Sequence, residues 1–148
     1  AALLVGAQLG ARRGVAFAVL VTLLSNLLIG DGWWTLFQAI GWGAVAVIGS
    51  QLNLGTADKF RSGQLYVAAI CSAFVFDFIA SLSIVTAGTT LSDFAVYLAH
   101  GLPFDVLHAL GNLTFAVWFG HFAFRALETV ASLEELEQSV AEDYVVEG

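Results

Sequence analysis

Methionine is absent from the 148 residues, proline and cysteine occur once each, and lysine plus arginine number five. Each scarcity removes a class of explanation. A single cysteine, Cys71, excludes an intramolecular disulfide and any zinc site built on thiolates. Its apolar neighbours make it a small buried or lipid-facing hydrophobe. The only lysine, Lys59, precedes Phe60, so the chain has no G-x-x-x-x-G-K-[ST] phosphate loop with which to hydrolyse ATP. H-E-x-x-H and G-x-S-x-G are missing as well, and no catalytic residue is assigned. No nucleic-acid partner is expected.

Methionine is missing even at position 1, and the chain opens inside an apolar run, Ala1-Ala-Leu-Leu-Val-Gly6. We read this opening as a cut through a helix, with further sequence upstream. It does not read as a signal peptide, because Arg12 and Arg13 follow the apolar run instead of preceding it.

Charge is scarce too. Only 11% of residues are charged and 59% are hydrophobic, and the mean hydropathy is +0.85. A soluble domain carries about 25% charged residues, so this chain cannot solvate a water-facing surface. A bilayer removes that need. The net charge of -7 belongs to one region, since seven of the twelve acidic residues follow Arg125.

The apolar runs are long enough to span a membrane as helices. After the truncated opening helix at residues 1–11, four complete spans are expected at 14–29, 33–52, 64–87 and 102–124. None alternates with period two, so strands are excluded. The predicted class is therefore all-α, a polytopic transmembrane bundle over 1–125 with a cytoplasmic acidic tail over 126–148. Arg12 and Arg13, Lys59 and Arg61, and Arg125 fall at alternate connections, and the other connections hold no basic residue. The positive-inside rule places those sites and the C-terminus in the cytoplasm. The connections at 30–33 and 88–101 then face outside. In the tail, Ser132 and Glu135 have capping-box spacing ahead of Leu133, Leu136 and Val140, which predicts a short amphipathic helix or a solvated acidic segment. Gly6, Gly10 and Gly14 recur every four residues. They serve close packing around a turn within the chain or a contact between subunits.

Polar groups inside a membrane are costly and face a bundle interior or a cavity. Pro103 suits a helix's first turn, and Asp105, His108 and Asn112 follow it on one face at i, i+3 and i+7. That stripe descends about 10 Å and offers acceptors, an imidazole and an amide. It either orients a polar ligand or ties helices together. Trp34, Gln38 and Trp42 form one face of another span, an aromatic wall suited to a small-molecule pocket. Trp33 reads as an interfacial anchor. Asp77, mid-span, is a pocket group, a proton-linked group or a structural hydrogen-bonder. His121 is interfacial. His100, Asp105 and His108 make only a weak metal constellation, and no metal is assigned.

Ser25-Asn26, then Gly30-Asp-Gly-Trp-Trp-Thr-Leu-Phe-Gln38, a Gly-rich helix, and Gly101-Leu-Pro-Phe-Asp-x-x-His-x-x-x-Asn112 occur in that order. Together they resemble the S-component of an energy-coupling factor (ECF) vitamin transporter over residues 1–125. The resemblance implies six helices in the full fold, of which this chain starts late in the second. It also implies a plasma-membrane subunit that captures a vitamin-like micronutrient from outside. Partners would be a transmembrane coupling subunit and two cytoplasmic ATPases, which consume the ATP. The chain itself would need no cofactor and would be no enzyme. The site expected is Trp34, Gln38, Trp42, Asp77, Asp105, His108 and Asn112. Two departures stand out: Trp33 replaces a proline common in the outer loop, and the first helix, which contacts the coupling subunit, is absent. The alternatives are an intramembrane enzyme using Asp77, Asp105 and His108, and a structural membrane subunit that binds nothing.

Overall fold

Four helices carry the chain, and no strand occurs among the described residues: α1 (Ala2–Ile29), α2 (Trp34–Ser50), α3 (Ser62–Ser81) and α4 (Leu91–Val146). Single 3₁₀ turns lie at Ala57–Lys59 and Leu82–Ile84. This computed structural model describes residues 1–85 and 88–146, without the side chains of residues 57, 134, 135 and 140–146. Residues 86 and 87, the expected end of the third span, lie outside the described residues, as do the side chains of Glu135 and Val140.

Three helical stretches are long and apolar enough to cross a membrane: α1, α3 with its 3₁₀ extension, and α4. Helix α2 is apolar but shorter, at 17 residues. Leu28, Ile29, Phe104 and Trp118 are each more than three-quarters exposed. Such side chains are unfavourable in water, whereas a hydrocarbon surround solvates them.

Helix α1 consists of two helical arms joined at Gly10. Gly10 takes φ 81° and ψ 168°, a conformation that L side chains avoid. A Cβ built on Gly14 would stand 2.8 Å from the Gly6 Cα. Eight residues of straight helix would separate those positions by about 12 Å. The two arms, residues 2–9 and 11–29, therefore fold back on each other. In the first arm Ala2, Leu3, Leu4, Val5 and Gly6 are all buried, so other helices surround it on every side. A Cβ on Gly6 would strike the Ala46 carbonyl oxygen, and one on Gly49 would strike that of Leu3. Of the two readings of the glycine repeat, close packing within the chain is the one observed.

Contacts also order the ends of the bundle. Gly14 packs on Ala46 and Asn26 on Thr35, so the second arm of α1 runs antiparallel to α2. Its Arg12–Arg13 end thus lies beside Ser50, where α2 ends. Phe60 packs against Phe124 at 4.8 Å between ring centroids and against His121 at 5.3 Å. This brings the Lys59–Arg61 connection to the Arg125 level of α4. All five basic residues gather at one end.

Helix α4 corrects three expectations. The connection expected at 88–101 is mostly helix, because α4 begins at Leu91. The cause is a capping box at Thr90 and Asp93. The Thr90 hydroxyl accepts from the Asp93 amide (3.2 Å), and the Asp93 carboxylate accepts from the Thr90 amide (3.0 Å) and hydroxyl (2.6 Å). Pro103 thus sits in the helix interior, where its missing N–H leaves the Ala99 carbonyl without its helical donor. Ser132 likewise starts no helix: its hydroxyl donates to the Thr129 carbonyl at 2.9 Å within an unbroken helix. At 56 residues and about 1.5 Å each, α4 is about 84 Å long, far beyond the roughly 30 Å of hydrocarbon in a bilayer.

Candidate functional site

A polar junction joins α1 to α2. Asn26, buried in the last turn of α1, uses both N–H groups of its amide. One donates to the Thr35 hydroxyl and the other to Gln38 Oε1, each at 2.7 Å. Thr35 donates in turn to Asp31 Oδ1 at 2.5 Å. Gly30, at φ 136°, supplies the backbone freedom that reverses the chain between the helices. Gln38 is thereby held at a fixed rotamer on the α2 face that carries Trp34 and Trp42.

A second junction joins α3 to α4. His108 Nδ1 lies 2.9 Å from both carboxylate oxygens of Asp77. The ring is flanked edge-on by Phe76 (5.7 Å between centroids) and Trp42 (6.1 Å), and Trp42 itself packs on Phe76 at 4.2 Å. These three rings close the space between α2, α3 and α4.

Above the rings opens a chamber of about 480 Å³, within the roughly 300–1,000 Å³ range of small-molecule sites. Trp34 and Gln38 line it from α2, Asp77 and Ser81 from α3, and Tyr97, His100, Phe104 and Asp105 from α4. Gln38 and Trp42 also line a cavity of about 270 Å³ on the α1 side, with Thr22, Ser25 and Asn26. Below the rings Trp42, Ser72 and Asn112 line a small cavity of about 80 Å³.

The seven residues expected from sequence thus fall on one column, though not in one pocket. Trp34, Gln38, Asp77 and Asp105 line the chamber of about 480 Å³. Trp42 and His108 lie in the ring cluster beneath it. Asn112 lies deeper, its amide reaching the Ala69 carbonyl at 3.5 Å. Trp33 stands apart, 64% exposed and edge-on to Phe37. His100 is helical, and its Nδ1 lies 2.8 Å from the Val96 carbonyl. Among the described residues no three His, Cys, Asp or Glu side chains are grouped to hold a metal ion.

Sequence reasoning missed Asn26 and Thr35 as site-shaping residues, and Tyr97, His100 and Ser72 as cavity-lining ones. A signal existed for the first: Thr22, Ser25 and Asn26 are polar within an otherwise apolar run, and Thr22 and Asn26 are one turn apart. Tyr97 and His100 were hidden by reading 88–101 as a loop. The chain matches no protein-family model, no curated protein and no solved structure.

Proposed function

We propose that this chain is the substrate-binding membrane subunit of an ECF-type importer, capturing a vitamin-like micronutrient from outside the cell. One observation carries the reading: a single chamber is lined jointly by the Trp34–Gln38 face of α2, by Asp77 of α3 and by Asp105 of α4. Aromatic walls with a few fixed polar groups suit a small ligand that is partly planar and partly polar. In this reading the two arms of α1 cross or enter the membrane separately, followed by α2, α3 and the middle of α4. That count gives four complete spans and the end of a fifth. The basic end faces the cytoplasm, and the last turns of α4 project there as an acidic helix. Import would be driven by a transmembrane coupling subunit and two cytoplasmic ATPases, because this chain carries no phosphate loop.

The test is to purify the full-length protein from membranes and identify any co-purified small molecule by mass spectrometry. His108→Ala and Asn112→Ala proteins should insert normally yet lose that molecule. Retention of it by both variants sinks the assignment.

The Asp77–His108 contact favours a second reading, an intramembrane enzyme in which the carboxylate orients an imidazole base. That reading predicts conversion of the bound compound by the purified chain alone. The importer reading predicts unchanged ligand.

A further inference from the structure

Ser72 is 2% exposed, and its hydroxyl has no hydrogen-bond partner. It is the only buried side-chain polar atom so placed among the described residues. A hydroxyl sealed in an apolar bundle without a partner is unfavourable, so its surroundings matter. Ser72 does not face packed hydrocarbon. It lines the cavity of about 80 Å³ beneath Trp42, together with Asn112. Asn112 is itself under-used: one N–H reaches the Ala69 carbonyl at 3.5 Å, at the outer limit of a hydrogen bond. Its carbonyl oxygen and second N–H remain for another partner. Ser72 lies five residues before Asp77 on α3, about 7.5 Å along the helix. The cavity therefore sits roughly one and a half turns from the Asp77 level of the chamber, with the Trp42–Phe76–His108 rings between them.

We infer that Ser72 and Asn112 form a second, deeper subsite that takes a compact group bearing adjacent N–H and C=O functions, such as a lactam or primary carboxamide. No ionisable side chain lines the cavity, and the one ionisable group on its wall is the α-amino group of Ala1, so recognition of the polar edge falls to Ser72 and Asn112. Hydroxyl and amide together offer both donors and acceptors, which match an amide edge and not a hydrocarbon one. The inference rests on the importer reading and deepens it. The chamber above holds the aromatic part of the ligand, and this subsite selects its polar end.

Cysteine reporters test it in reconstituted full chain carrying Cys71→Ala. Ala116→Cys and, as a second reporter, Ala69→Cys place a thiol on the wall of the deep cavity. Ser81→Cys reports on the chamber, and Ala73→Cys is a buried control outside every cavity described above. The probe is the small neutral reagent methyl methanethiosulfonate. The deep reporters should react at least tenfold faster than Ala73→Cys. Adding 2-pyrrolidinone should slow them at least threefold, while cyclopentanone, of similar shape but without the N–H, should not. Introducing Ser72→Ala should erase that difference. Reaction at Ser81→Cys with none at either deep reporter overturns the subsite and leaves the chamber intact. No reaction at Ser81→Cys overturns the chamber reading itself. Equal protection by both compounds means a cavity that selects no amide, protection by neither means one that holds water alone, and either result overturns the subsite.

Discussion

The imidazole of His108 sits 2.9 Å from each carboxylate oxygen of Asp77, across 31 residues of sequence. Because both oxygens are equidistant, the contact fixes ring orientation as well as position. It also ties α3 to α4 at the level where the chamber ends. Asp77 is thus a structural hydrogen-bonder and a chamber-lining group at once.

A double-mutant cycle on Asp77→Ala and His108→Ala should show coupling of about 0.5–2 kcal/mol, the range for hydrogen bonds between membrane helices. Thermal unfolding of the four proteins in one detergent measures it. Additive losses would mean that the two groups do not interact.

Gly6→Ala should be strongly destabilising, by about 1–3 kcal/mol or more, because its Cβ meets the rigid Ala46 carbonyl. Gly111→Ala, where nothing lies within 4 Å, should be neutral or stabilising by up to about 1 kcal/mol through helix propensity. The difference in melting temperature between the variants is the measurement.

Gly10→Ala tests the backbone alone. Nothing lies within 4 Å of the new methyl, yet φ is 81°. The expected cost is about 1–3 kcal/mol of conformational strain, because φ 81° with ψ 168° is a region essentially confined to glycine, and Gly10→Asn should fare no better. Equal stability of Gly10→Ala and the parent would show that α1 does not reverse there.

Asn26→Ala removes the donor to both Thr35 and Gln38. Two acceptors are left short, which should cost about 1–3 kcal/mol and free the Gln38 side chain. Binding of the co-purified compound should weaken with it. Asn26→Asp, which cannot donate when ionised, should behave like alanine.

Membrane orientation is read with single cysteines in the Cys71→Ala background. A cysteine replacing Ser92 should be modified by a membrane-impermeant reagent in intact cells. One replacing Ser139 should react only after permeabilisation. The reverse pattern would invert the assignment drawn from the basic residues.

Much of the frame was legible in the chain. The runs expected at 14–29 and 33–52 correspond to the second arm of α1 and to α2, and the one at 64–87 to α3 over its described residues, because hydropathy and length act locally, whereas the run at 102–124 lies inside the much longer α4. The i, i+3, i+7 stripe from Asp105 to Asn112 was readable for the same reason. The start of α4 is also readable in principle, since Thr90-x-x-Asp93 has capping-box spacing, but Ser132-x-x-Glu135 has the same spacing and Pro103 the residue type of a helix's first turn. A proline marks a first turn only when no stronger cap lies upstream.

Composition and periodicity alone determined that this is a helical chain suited to a membrane, with its basic residues at alternate connections and its polar residues sparse. Those properties follow from the solvation of each segment by itself. Only the tertiary structure decided that α1 doubles back, that Asn26 holds Gln38, that His108 pairs with Asp77, and that Ser72 faces a cavity and not lipid. These depend on which helix faces lie opposite one another. Backbone approach at Gly6 and Gly49 sets that arrangement, and no local pattern specifies which carbonyl a glycine will meet.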